Sequence, residues 1–187
     1  MGEIKRIIIV LEAMDYNYIQ EAQPPNIMRL NPHPAVSFGL GSRPSAGALL
    51  GGMLPVCQIP MCFHREIQKQ WSNPFFMTCM RELTEKQFYL SGNGWVTELI
   101  FPWIDDEQRK LNMEWIQTPE QMHSKEIIEY FLENKSENSY FAYLHLYECH
   151  FPFYSPQGGG KRKEALLYLD TLVGKVLSLV TIICRLM

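Results

Sequence analysis

The chain has little charge of either sign to spare. Its 187 residues include 17 Lys and Arg against 20 Asp and Glu, a formal charge of −3. It has no long basic stripe, so general nucleic-acid binding is not expected. Its one basic cluster, Lys161-Arg162-Lys163, is most simply a solvated helix start. Long apolar runs are missing as well. Val176–Cys184 offers nine uncharged residues between Lys175 and Arg185, whereas a membrane-spanning helix needs about 20. The N-terminal run Ile7–Leu11 is too short for a signal peptide, and Glu12 and Asp15 stand where small cleavage-site residues belong. A cytoplasmic protein without a membrane span is the expectation. Cysteine is scarce and irregularly spaced: Cys57, Cys62, Cys79, Cys149 and Cys184 form an odd set that suits reduced thiols better than a disulfide framework. There is no internal repeat and no low-complexity tract. What is present is an ordinary globular composition, 47% hydrophobic and 20% charged, at a length that suits a single domain over 1–187.

Three segments read as strands. Ile4–Leu11 is continuously apolar and β-branched, the pattern of a strand covered on both faces in a parallel sheet. Gln87–Leu90 precedes the turn residues Ser91-Gly92-Asn93-Gly94. In Tyr140–Leu146, Tyr140, Ala142, Leu144 and Leu146 share one face and Phe141 and Tyr143 the other, both apolar. Helices fall between them. Thr118-Pro119-Glu120-Gln121 has a helix start signature, followed by a stripe of Ile127, Ile128, Phe131 and Leu132. After Gly158-Gly159-Gly160, the residues Leu166, Leu169, Val173, Val176 and Val180 recur on one helical face. Strands alternating with helices imply an α/β fold with a largely parallel central sheet flanked by helices. Pro55 to Glu85 reads as an irregular insertion.

In such sheets ligands sit outside the carboxyl ends of the strands. Glu12 follows the first strand, Asn93 the second, and Glu148 and His150 the third. A parallel sheet would gather them on one edge, where a carboxylate, an amide and an imidazole could serve a metal and an oxyanion. The stretch Ser42-Arg43-Pro44-Ser45-Ala46-Gly47-Ala48 adds a candidate nucleophile. Ser45 can cap a short helix, or Pro44 can occupy its first turn, and Gly51-Gly52 stops it. Ser42 then stands at a helix N-terminus, where N–H groups and the helix dipole favour an anion. Its hydroxyl needs a metal or a base before it can attack a sulfate or phosphate ester.

These residues resemble the sulfatase family of the alkaline phosphatase superfamily. The family signature runs Cys or Ser, any residue, Pro, Ser, Arg, small residues, Leu-Leu, Thr-Gly and a later Pro. Ser42, Pro44, Ser45, Leu49, Leu50, Gly52 and Pro55 fall in step with it. Ile7–Ile19 looks like the family's first strand, with Glu12 in the place of its metal-binding Asp. Pro25-Asn26-Ile27-Met28-Arg29-Leu30 looks like its Pro-Asn stretch, and Phe141–Pro156, through His150 and Pro152, like a later strand and loop. Tyr168-Leu169-Asp170 with Gly174 resembles the helix that follows. The resemblance implies hydrolysis or transfer of small sulfate or phosphate esters. Ser42 would be nucleophile and metal ligand and Glu12 a second ligand, with His150 and Asn93 as substrate contacts. The ion would be calcium, magnesium, manganese or zinc.

The departures from the pattern shape the expectation. Ala46 stands where the signature has Arg, Glu12 where it has Asp, and no Asp-His-Gly stretch follows the final helix. The ligand set is therefore incomplete, and the fold is expected to lack its C-terminal part. Two functions follow: an incomplete sulfatase-like, metal-dependent hydrolase, or a non-catalytic fragment that binds an anion or a partner. The final apolar helix, Val176–Cys184, is expected to be partly uncovered and to favour association. Other groupings carry less. Cys57, Cys62, His64 and Cys79 lack the usual zinc spacing. Cys149 and His150, neighbours on an extended chain, point apart. His145, inside the third strand, reads as a satisfied core histidine. Phe101, Trp103 and Trp115 read as packing, and Asp105-Asp106-Glu107 as a solvated helix start.

Overall fold

The computed structural model describes residues 4–35, 42–51, 75–100, 103–117, 123–151, 153–156 and 160–179. Strands β1 (Lys5–Leu11), β2 (Lys86–Ser91) and β3 (Tyr140–Leu146) form one sheet in the order β1-β3-β2. Both pairings are parallel. The three strands coincide with the three read from the sequence, and their alternation with helices gives the expected α/β arrangement.

β3 is central and buried at all seven positions, which explains why both of its faces are apolar. Register partners share a face. Ile7, Ile9 and Leu11 line up with Ala142, Leu144 and Leu146, and Phe88 and Leu90 with Ala142 and Leu144. On this face the sheet packs against α7 (Ser124–Asn134) and α8 (Arg162–Leu179), with Ile27 of the short α2 (Pro25–Met28) beside them. Ile127, Ile128 and Phe131 are buried there, as are Leu166, Leu169, Val173 and Val176, so both predicted stripes face the core. On the opposite face lie Ile8, Val10, Tyr89, Phe141 and Tyr143. That face is covered by Ala46 and Leu50 of α3 (Ser42–Gly51) and by Val96 and Ile100 of α5 (Gly94–Ile100).

Helix α3 begins at Ser42, so Pro44 lies in its first turn and Ser45 is inside the helix instead of capping it. Helix α4 (Phe75–Leu83) occupies the end of the stretch expected to be irregular. Its Met80 packs on the second face. The start expected at Thr118, Val180 of the final stripe, and the rest of the terminal run lie outside the described residues. The described helix α7 begins at Ser124.

The sheet edge at β2 is closed by side chains. Helix α6 (Asp106–Gln117) presents Gln108 and Asn112, four residues apart and both buried. Gln108 accepts from the Tyr89 N–H at 2.9 Å and donates to the Gln87 carbonyl at 2.9 Å. Asn112 accepts from the Ser91 N–H at 3.0 Å and donates to the Tyr89 carbonyl at 2.9 Å. Two amides thus substitute for a neighbouring strand, and the edge offers no ladder to another chain at these positions. The acidic run expected at a helix start does open α6, where Asp105 accepts from the Gln108 N–H at 2.8 Å. Among the described residues no helix is long and apolar enough to cross a membrane.

Arg162 of the basic cluster is an internal clamp. Its guanidinium donates to the Ala13 carbonyl at 2.8 Å and to Asp15 at 2.9 Å, and lies 4.2 Å from the centre of the Tyr18 ring. Asp15 caps α1 (Tyr16–Ala22) by accepting from the Tyr18 N–H at 2.8 Å. That N–H, with Arg162 beside it, holds the exposed Asp15 carboxyl below its ordinary pKa. The clamp fixes the segment that follows β1 and Glu12.

Candidate functional site at the carboxyl edge of the sheet

The parallel sheet brings polar residues from all three strand ends together. Glu12 directly follows β1, and its N–H donates to the Leu146 carbonyl at 2.8 Å, continuing the β1–β3 ladder. Its carboxylate Oε2 lies 2.6 Å from Nε2 of His145. His145 is the register partner of Val10 and Ser91, on the face covered by α3 and α5. It is 2% exposed. The imidazole thus faces Glu12 through Nε2, while its Nδ1 lies 3.1 Å from the Ser91 hydroxyl. The Asn93 amide donates to the same Glu12 oxygen at 3.4 Å, and the Asn93 backbone N–H donates to Ser91 Oγ at 3.0 Å. Glu12, His145, Ser91 and Asn93 therefore form one hydrogen-bonded group across the ends of β1, β3 and β2. His145 is satisfied in the core, as the sequence suggested, but its main partner is the candidate metal ligand.

Asn93 is buried and has a second task. Its Oδ1 accepts from the Val96 N–H at 3.4 Å and its carbonyl from the Thr97 N–H at 2.9 Å, so it caps α5. It contacts Glu12 directly.

Glu148 and His150 turn elsewhere. The Glu148 carboxylate accepts from the Ser124 N–H at 3.0 Å, from the Ser124 hydroxyl, and from the Tyr147 N–H at 3.1 Å. It serves as an anionic cap on α7. Burial raises its pKa above the ordinary carboxylate value, and these donations oppose the shift without cancelling it. His150 stacks on Tyr147 with ring centres 4.7 Å apart, and its Nδ1 lies 2.8 Å from the Phe151 carbonyl. It is half-buried and is joined to Glu12 by no hydrogen bond among the described residues. The loop after β3 presents it beside Phe151, which is exposed.

Ser42 begins α3, which packs on α5 and α4; the Ser42 side chain lies outside the described residues. Ala46, in the signature's Arg position, is buried between α3 and the sheet. On the same face the hydroxyls of Tyr89 and Tyr143, register partners, are buried without hydrogen-bond partners among the described residues. Burial drives the pKa of both well above the ordinary phenol value.

The metal expectation is tested by the donor set. Among the described residues no group of three or more His, Cys, Asp and Glu side chains is placed to hold an ion. Glu12 already takes His145 and Asn93 on one oxygen, and Glu148 is committed to α7. Among the described residues, the side chains in this arrangement do not fit a divalent metal. Cys57, Cys62 and His64 of the weak zinc grouping lie outside the described residues. Cys149 is buried, and burial raises its thiol to about 12.

The sequence reading missed one constellation entirely. Asp170 of α8 is 2% exposed and caps α2. It accepts from the Asn26 N–H at 3.2 Å, the Ile27 N–H at 2.8 Å and the Asn26 side-chain amide at 2.9 Å. The same amide also donates to the Asp170 carbonyl at 3.2 Å. Gly174, one turn further along α8, lies against the Asn26 side chain: a Cβ there would come within 2.8 Å of it. The Pro25-Asn26 and Tyr168-Leu169-Asp170 segments are thus two halves of one lock. The recurrence of Asp170 and Gly174 at a four-residue spacing was the available signal.

Comparison with known proteins returns no match: no protein family, no curated protein and no solved structure aligns significantly with this chain.

Proposed function

We propose that this chain is a sulfatase-like α/β domain that binds small sulfate or phosphate esters at the carboxyl edge of its sheet, without hydrolysing them in the arrangement described. The observation that carries the reading is the meeting of Glu12, Ser91, Asn93 and His145 at that edge. Two of the residues chosen from the sequence, Glu12 and Asn93, join this group with Ser91 and His145, at the edge where a parallel sheet places a ligand. The Asn26–Asp170 lock supports the family likeness, because it joins two segments that resemble the family and lie 144 residues apart. In this reading the start of α3 at Ser42 and the half-buried His150 imidazole contact the oxyanion, while Asn93 positions Glu12.

The hydrolase reading keeps Ser42 as nucleophile and makes Ser42 and Glu12 ligands of a calcium, magnesium, manganese or zinc ion. It rests on the signature around Ser42. The Glu12–His145 contact favours the non-catalytic reading, since the carboxylate is already satisfied within the protein. Metal analysis of the purified chain, with turnover and calorimetric binding of p-nitrophenyl sulfate and p-nitrophenyl phosphate, separates the two. Expected are ester binding weakened by His150→Ala and no turnover above that of Ser42→Ala. Turnover abolished by Ser42→Ala would restore the hydrolase. Failure to bind either ester would remove the site.

A further inference from the structure

We propose that His145 holds Glu12 in the place where the sulfatase-like likeness would put a divalent cation, so that this edge is built to work without a metal at Glu12. The proposal rests on the family likeness only for the expectation of a metal; the geometry stands without it. The imidazole Nε2 meets the carboxylate at 2.6 Å, closer than the other donor on the same oxygen, Asn93 at 3.4 Å. The ring is fixed from its far side by Ser91 at 3.1 Å and is sealed from water, with 2% of its surface exposed. Such a group is not a loose surface pair that an ion displaces at little cost. Its partners are desolvated, and removing one leaves the other buried.

The chain's departure from the family pattern has a role here. Glu12 lies two residues beyond Val10, whose register partner is His145. A carboxylate on β1 must therefore reach back and across to β3. Glu has one methylene more than Asp and spans that gap, and His145 supplies the facing donor. The substitution of Asp by Glu and the histidine inside the third strand become one paired feature. The other carboxylate after β3, Glu148, is held by Ser124 and Tyr147, so it supplies no second ligand.

The full chain is titrated with calcium, magnesium, manganese and zinc chlorides by calorimetry. Thermal unfolding is followed with and without EDTA, and the His145 ring is observed by NMR after nitrogen-15 histidine labelling. No ion should bind stoichiometrically at Glu12, EDTA should leave the Tm unchanged, and the His145 ring signals should not move with added metal. Glu12→Asp, which withdraws the carboxylate from His145, should lower the Tm by roughly 5–10 °C. One equivalent of any of the four ions that Glu12→Gln abolishes would overturn the proposal. So would a Glu12→Asp chain as stable as the parent. The unsubstituted chain's titration and His145 signals decide the matter even where a variant does not fold. Ester binding is read separately with p-nitrophenyl phosphate, so its failure and a metal at Glu12 are distinct results.

Discussion

Replacing Gly174 with alanine should destabilise the protein, although alanine is the better helix former. In the middle of α8 the exchange gains about 1 kcal/mol from helix propensity alone. The new Cβ, however, falls 2.8 Å from Asn26 Cγ and Nδ2 and 2.9 Å from Oδ1. Asn26 has a short side chain, and Asp170 pins its amide through the carboxylate at 2.9 Å and the carbonyl at 3.2 Å. It can yield only by giving up those bonds. A hydrogen bond to a charged acceptor contributes about 1.5–3 kcal/mol and a neutral one about 1 kcal/mol. The loss of about 2.5–4 kcal/mol exceeds the gain, so Gly174→Ala should cost about 1.5–3 kcal/mol, or roughly 3–12 °C in Tm.

Removing the obstacle should reverse the sign. Asn26→Ala eliminates the three atoms that the Cβ meets, and in that background Gly174→Ala should stabilise by about 0.5–1 kcal/mol. Urea unfolding followed by circular dichroism on the four chains of this cycle gives both numbers. The same sign in both backgrounds, or stabilisation by Gly174→Ala in the parent, would refute the claim that the lock, and not helix propensity, selects glycine there.

Three further outcomes follow from the buried polar groups. Because the folded pKa of Glu148 lies above its ordinary value of 4.5, its contribution to stability is complete below that value and is lost as the pH rises through the folded pKa. Urea midpoints of the parent relative to Glu148→Gln should therefore decline from pH 4 to pH 7; a flat or rising difference would contradict the assignment. Cys149, with its thiol raised to about 12 and its side chain buried, should resist DTNB in the native state and react on unfolding, as followed by peptide mass mapping. Tyr89→Phe and Tyr143→Phe each remove a buried hydroxyl that has no partner among the described residues, so each should be neutral or stabilise by about 1 kcal/mol in urea unfolding.

The division between what was legible in the sequence and what was not follows the range of the interactions. β3 could be placed residue by residue because a central parallel strand needs apolar side chains on both faces, and Tyr140–Leu146 supplies them. The parallel order then placed Glu12, Asn93 and His150 at one edge of the sheet. It did not indicate which side chains bond there, because a strand end sets position while side-chain length and face set partners. Glu12 reaches His145, whereas His150, five residues later and past the end of β3, turns to Tyr147. Gln108 and Asn112 give the same lesson. On an isolated helix they are ordinary polar residues, and their burial makes sense only once the unpaired edge of β2 lies beside them. The lock between Asn26 and Asp170 joins residues 144 positions apart, a separation that no local periodicity encodes.

The Glu12–His145 contact also bears on what holds the carboxyl edge of the sheet together. The Glu12 side chain, at the end of a half-buried edge strand, is itself only 12% exposed, so its carboxylate is largely removed from water and needs a partner. A carboxylate so placed needs a donor from the protein. This chain has the donor. His145 meets Glu12, Ser91 fixes the ring, and Asn93 closes the group while capping α5. Together these contacts hold the Glu12 carboxylate from within the protein. His145→Gln, which keeps a donor but shortens the reach, should therefore destabilise the fold more than His150→Ala, although His150 holds the position of the family-like histidine. Urea unfolding of the two variants side by side would show which histidine this edge depends on.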